Sequence, residues 1–137
     1  MKQIIILLTI ALLALTSCHA IDGDGDVITK EFGLDKKFSE IHIYEDECNV
    51  DIFDSEEYKV VITAERNILE YMDVFVKNEK LKIKTTSKYL PCPSKPIEIA
   101  IYAPSSYDKV SNHGSANVNI HPHFNQYKLK VENLGRG

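Results

Sequence analysis

An all-β domain of short, stacked strands is what this 137-residue sequence predicts, and three observations carry that expectation. Apolar and polar side chains alternate at a period of two through most of the chain, which places one row on a buried face and the other in water. A single stretch, 65–71, departs toward helical spacing. Short motifs also recur: Val110-Ser111-Asn112-His113-Gly114 returns as Val131-Glu132-Asn133-Leu134-Gly135, an offset of 21 residues, and Ala116-Asn117-Val118-Asn119-Ile120 echoes Cys48-Asn49-Val50-Asp51-Ile52. Repeats about 20 to 30 residues apart, each with short strands and an Asn/Gly corner, are the sequence form of a β-solenoid coil. Chance recurrence of strand and turn residues in an all-β chain is the alternative.

Taken in order, the chain opens on Lys2 and an apolar run from Ile4 to Leu15, closed by Leu15-Thr16-Ser17-Cys18. A cationic start, a short apolar core and small residues before a cysteine form a lipoprotein signal, with 1–17 removed and lipid carried on Cys18. The run is 12 residues long, whereas a spanning helix needs roughly 20. Cleavage near Ala20 as an ordinary secretory signal is the alternative. Residues 18–26, with Ile21-Asp22-Gly23-Asp24-Gly25-Asp26, read as a Gly-rich acidic tether, because glycines and like charges resist packing. The folded domain is expected over 27–137.

Strands are expected at 27–32, 40–44, 49–53, 58–64, 72–77, 80–85, 97–102, 118–121 and 127–131. The pair flanking Lys77-Asn78-Glu79-Lys80 is a hairpin, since asparagine tolerates the positive φ of a tight turn. Ile68, Leu69 and Met72 predict one or two turns of helix around 65–71. Leu90-Pro91-Cys92-Pro93-Ser94-Lys95-Pro96 is expected as a loop, because three prolines fix φ and remove backbone donors.

Composition narrows the function classes. Without 1–17 the chain has 120 residues, enough for one modest core, with 15 basic and 20 acidic side chains. That balance, with no polybasic run beside Cys18, argues against nucleic acid and leaves the lipid as the membrane attachment. Once Cys18 is acylated, Cys48 and Cys92 are the one pair left for a disulfide in an oxidising compartment, or two unlinked thiols.

These residues together resemble a known family, the putative auto-transporter adhesin, head GIN domain, found in lipoproteins and exported proteins of Gram-negative bacteria. The resemblance runs through Gly23-Asp24-Gly25-Asp26-Val27-Ile28, Phe38-Ser39-Glu40-Ile41-His42-Ile43, Asn49-Val50-Asp51-Ile52, Val60-Val61-Ile62-Thr63-Ala64 and Asn67-Ile68-Leu69-Glu70-Tyr71. It continues through Leu81-Lys82-Ile83-Lys84, Pro96-Ile97-Glu98-Ile99 and Val110-Ser111-Asn112-His113-Gly114-Ser115. It implies a β-hairpin-rich start running into a right-handed β-helix, a role in adhesion, and no catalytic residues or cofactor. Ser111-Asn112-His113-Gly114 replaces the family's usual Ser-Gly-Ser-Gly corner, and Cys48 and Cys92 fall outside its pattern. The last coil, ending at Gly135-Arg136-Gly137, is expected to be truncated.

Other chemistry finds weaker support. Asp22, Asp24 and Asp26 begin like a calcium loop, but Val27 and Gly33 stand where the sixth-position glycine and twelfth-position glutamate belong. His113, His121 and His123 read as turn histidines in preference to a zinc site. Ser111, His113 and Asp108 supply a triad's residue types without its geometry, and a hydrolase would need a pocket with converging polar groups. Tyr44, Tyr58, Tyr71, Tyr89, Tyr102, Tyr107 and Tyr127 read as strand-face filling over a sugar-binding row. The expected function is a non-enzymatic outer-membrane lipoprotein that binds a host, glycan or envelope ligand. The alternative is a periplasm-facing structural or stress-related lipoprotein that holds another envelope protein.

Overall fold

A computed structural model describes residues 20–86, 90–121 and 128–135. The 1–17 segment, Cys18, Tyr89, His123 and Tyr127 lie outside the described residues. Among those described, 58% are strand and 4% helix. The elements are β1 (Ala20–Asp22), β2 (Val27–Gly33), β3 (Glu40–Ile43), β4 (Cys48–Asp54), β5 (Lys59–Glu65), α1 (Arg66–Leu69), β6 (Met72–Lys77), β7 (Lys80–Thr85), β8 (Leu90–Cys92), β9 (Ile97–Ala103), β10 (Lys109–Asn112), β11 (Asn117–Ile120) and β12 (Lys130–Asn133).

Two five-stranded sheets form the body, in the orders β12-β10-β3-β7-β6 and β11-β4-β9-β5-β2. Both mix parallel and antiparallel neighbours, and neither closes on itself. The chain passes repeatedly from the first sheet to the second, β3 to β4, β7 to β9 and β10 to β11, and each strand lies parallel to its counterpart. The sequence repeats coincide with this register: Val110 pairs with Val131 and Asn112 with Asn133, while Asn117 pairs with Asn49 and Ile120 with Ile52. Like therefore stacks on like. One inward row runs Leu81, Ile41 and Val110, and another runs Ile101, Ile52 and Ile120. Ile41, Ile43, Ile52, Ile62, Leu81, Ile83 and Ile101 are wholly buried in one continuous core, and each such side chain contributes roughly 1.5–3 kcal/mol.

The antiparallel hairpin of β6 and β7 closes through Asn78 and Glu79 at φ 52° and 60°, the left-handed pair a two-residue turn requires. The helical turn is α1, with Ile68 and Leu69 buried. Three strands, β1, β8 and β10, depart from expectation. β8 falls in the proline-rich stretch expected as a loop, yet Pro91 pairs with Ile21 of β1. Each of these strands has one neighbour, so the missing N–H of Pro91 costs nothing if it faces outward. β10 (Lys109–Asn112) takes in Ser111 and Asn112, expected as the start of the Ser111-Asn112-His113-Gly114 corner. Ser111 and Asn112 are both buried here, and the Asn112 amide donates to the Ala116 carbonyl at 2.8 Å.

The acidic Gly-rich stretch, expected as a tether, is fastened from Ala20 onward. β1 pairs with β8, Asn67 donates to the Asp22 carbonyl at 2.6 Å, and Arg66 meets Asp26 at 2.7 Å. The Glu65 carboxylate, 1% exposed, accepts from Gly25 N and Ser94 N at 2.8 Å each and from the Ser94 hydroxyl. These bonds hold it below the usual carboxylate range, the Ser94 hydroxyl most of all. Composition alone misses this because the anchoring carboxylate is about 40 residues away in sequence.

Candidate functional site

The outward faces of the two sheets carry the chain's polar chemistry. Because Leu81 and Ile83 point inward, Lys80, Lys82 and Lys84 project from the outer face of the first sheet. Register places Lys77 beside Lys80, Phe75 beside Lys82 and Asp73 beside Lys84 on β6. On the other side follow Glu40 and His42 of β3, Lys109 and Ser111 of β10, then Lys130 and Glu132 of β12. Six lysines therefore share this face with three carboxylates, leaving ten basic against seventeen acidic residues for the rest of the chain. Glu132 binds Lys130 at 2.6 Å and Lys109 at 2.9 Å, which pulls its carboxyl down to about 2, and Glu40 lies 3.9 Å from Lys80. Lys77 and Lys82 have no ion-pair partner among the described residues, and Lys84 lies 5.3 Å over the Phe75 ring. No polybasic run lies beside Cys18, but the 77–84 hairpin carries four lysines and pairing of distant strands adds Lys109 and Lys130 to their face.

At its centre is a polar relay. His42 Nε2 lies 2.6 Å from the Glu40 carboxylate, and His42 Nδ1 lies 3.0 Å from His113 Nε2. A carboxylate can only accept, so His42 Nε2 donates to it. The bond between His42 Nδ1 and His113 Nε2 takes its proton from one of the two rings. The bond from His42 holds the Glu40 carboxyl below its ordinary range. Burial, the His42 ring and Lys109 push His113 below the ordinary imidazole value. The His113 ring stacks on Tyr44 at 4.2 Å and 8°, and on His42 at 5.3 Å. Aligning Ile41-His42-Ile43-Tyr44 with Val110-Ser111-Asn112-His113 would have revealed this contact in the sequence.

The outer face of the second sheet is different. Tyr102, Phe53 and His121 stack across β9, β4 and the end of β11, at 5.3 and 4.5 Å between neighbouring rings. Lys59 covers Tyr102 at 5.3 Å, and His121 meets Asp51 at 2.9 Å. Beside them Glu98, Asn49 and Asn117 form an amide ladder with bonds of 2.9 and 3.2 Å. The rings turn their faces on one another, which favours strand-face filling over a sugar platform. Tyr58 and Tyr107 are likewise turned to the core, Tyr58 against Phe38 at 5.4 Å, while Tyr71 is exposed.

The structure separates the other sequence candidates. His113 sits on the first sheet's side and His121 on the second's, and no group of three metal-ligating side chains converges among the described residues. Asp24 and Asp26 are spent on local bonds and on Arg66. Ser111 turns to Glu132 at 3.4 Å and His113 to His42, so no triad forms with Asp108. Cys48 and Cys92 stand as free thiols, Cys48 buried and Cys92 exposed. Burial chiefly, with Glu45 and Asp46 nearby, pushes the Cys48 thiol up to about 12. A groove of about 310 Å³ opens between β11 and β12, lined by inward residues including Val118, Ile120 and Val131 that no further strand covers among the described residues. No described helix is long and apolar enough to cross a membrane.

With this geometry in view, comparison with known proteins gives one family and several similar solved structures. The family model described as putative auto-transporter adhesin, head GIN domain, matches residues 37–137. No curated protein matches the chain. A solved structure of a putative adhesin from Bacteroides fragilis NCTC 9343 is similar at 22% identity and TM-score 0.73, covering 84% of this chain and 53% of that one. A putative adhesin from Parabacteroides merdae ATCC 43184 is similar at 16% identity and TM-score 0.65, covering 84% and 47%. A putative lipid binding protein from Parabacteroides distasonis ATCC 8503 is similar at 19% identity and TM-score 0.63, covering 74% and 43%. The chain thus spans about half the length of the solved chains it matches.

Proposed function

Because the chain belongs to the putative auto-transporter adhesin, head GIN domain family, we propose that it is a cell-envelope lipoprotein whose domain binds surface ligands without catalysing a reaction. The lipid is carried on Cys18 after removal of 1–17, and the anchor lies in the outer membrane. The in-register parallel strands are coils of a β-helix, a form suited to presenting long, regular outer faces. Family membership is the observation that carries the adhesive role, and the polar outer faces are consistent with it. The test is binding of the purified full-length chain to arrays of host glycans, envelope polymers and envelope proteins. Retention by a defined class of surface ligand supports the reading, and no binding across all three arrays contradicts it.

One observation favours a second reading, a lipoprotein that faces the periplasm and holds another envelope protein. Cys18 and His19 alone separate the proposed lipid from β1 at Ala20, a reach of about 7 Å. A domain held so close to its membrane meets envelope partners more readily than distant ones. Crosslinking in intact cells distinguishes the two, since this reading predicts one recurrent envelope partner.

A further inference from the structure

We propose that the outer face of β6, β7, β3, β10 and β12 binds an acidic polysaccharide. The inference deepens the adhesive reading by naming its ligand class. Charge segregation is the first argument: six of the chain's sixteen basic residues lie on this one face with three carboxylates, against an excess of acid everywhere else. The second is geometric. Side chains on one strand repeat every ~6.6 Å and neighbouring strands lie ~4.8 Å apart. Lys80, Lys82 and Lys84 therefore form one line of cations, while Lys109 and Lys130 lie across the sheet. A polymer with a charge on each sugar can meet several of them at once.

The third argument is the availability of these charges. Lys109 and Lys130 share the one Glu132 carboxylate, and Lys77 and Lys82 face no carboxylate in ion-pair range among the described residues. The fourth separates a glycan from other polyanions. Tyr44, 40% exposed, and the half-buried His113 place a stacked pair of hydrogen-bonding rings within the lysine field. Sugar hydroxyls can engage such rings. A bilayer would instead need an apolar wedge, and the one aromatic side chain on β6, Phe75, lies under Lys84.

The test uses the full-length chain with polygalacturonate as the probe, at several salt concentrations. Two matched variants remove equal charge: Lys77→Gln with Lys82→Gln on the face, and Lys30→Gln with Lys95→Gln off it. A lysine near an anionic surface contributes a factor of about five, so the face variant is expected to weaken binding roughly 25-fold and flatten its salt dependence. The off-face variant is expected to stay within about twofold of wild type. Equal losses in the two variants, or no binding to polygalacturonate at low salt, would overturn the proposal. Tighter binding to phosphatidylglycerol vesicles or duplex DNA than to polygalacturonate would overturn it as well. Retention of other ligands in the surface arrays would leave the adhesive reading standing if this ligand class fails.

Discussion

Replacing Gly114 with alanine tests the corner that joins the two sheets. The backbone there is not in the left-handed region, so the glycine's role is close approach. A Cβ at Gly114 would lie 2.7 Å from the Glu45 carbonyl carbon and 3.0 Å from Asp46 Oδ1, and closer still to the Glu45 carbonyl oxygen. Carbon atoms prefer ~3.5–4.0 Å, so the two corners must part by about 1 Å. That shift would strain the bonds from Ser115 N to Asp46 at 2.8 Å and from Gly114 N to Asn112 at 3.3 Å. Overpacking against rigid backbone costs about 1–3 kcal/mol. With a urea m-value of about 1–3 kcal/mol/M, the midpoint should fall by about 1 M. Gly33→Ala is the control, because a Cβ there meets nothing within 4 Å. It should be neutral or stabilise by ~0.4–1 kcal/mol through the unfolded chain. The assay is urea unfolding of both variants beside wild type. Gly114→Ala unfolding at the same midpoint as Gly33→Ala would refute the close-packed corner.

Three further predictions follow from buried polar and thiol groups. Glu65 is held below its ordinary value of 4.5, so it stabilises the fold above that pH and the stabilisation is lost as pH falls through its folded value. Glu65→Gln should flatten the acid limb of the stability curve and speed proteolysis before Val27; an unchanged limb would show the latch contributes nothing. His113 is held below 6.5, so the unfolded chain takes up protons first and stability should decline as pH drops below about 6.5. His113→Phe keeps a ring on Tyr44 and should remove part of that decline, measured by urea midpoints at pH 7 and pH 5; a wild-type slope in this variant would contradict the assignment. A thiol-reactive probe should label Cys92 in the native protein, and Cys48, raised to about 12 and buried, after unfolding alone. Native labelling of both at equal rates would contradict the burial of Cys48.

Much of the fold is legible in the sequence where local physics decides it. Asn78 marks the β6–β7 turn, and Ile68 with Leu69 mark α1. The 21-residue recurrence from Val110 to Val131 is the strand register itself. Residues whose partners lie far along the chain carry no such local signal. Ser111 and Asn112 look like the start of a corner until β3 and β12 supply their ladder, and Pro91 looks like a loop until β1 arrives beside it. The same cause hid the site. Lys77, Lys80, Lys82 and Lys84 lie close together in one hairpin, but Lys109 and Lys130, far along the chain, reach the same face through strand pairing alone. His42 and His113, 71 residues apart, meet because their strands stack in register.

Protease shaving of intact cells carrying the C-terminally tagged protein, with a periplasmic control, tests most directly whether this chain presents its domain to external surfaces. Loss of the tag with the control intact is the result the account predicts. A tag that stays protected until the outer membrane is permeabilised would contradict surface display and leave the periplasm-facing partner as the role to pursue.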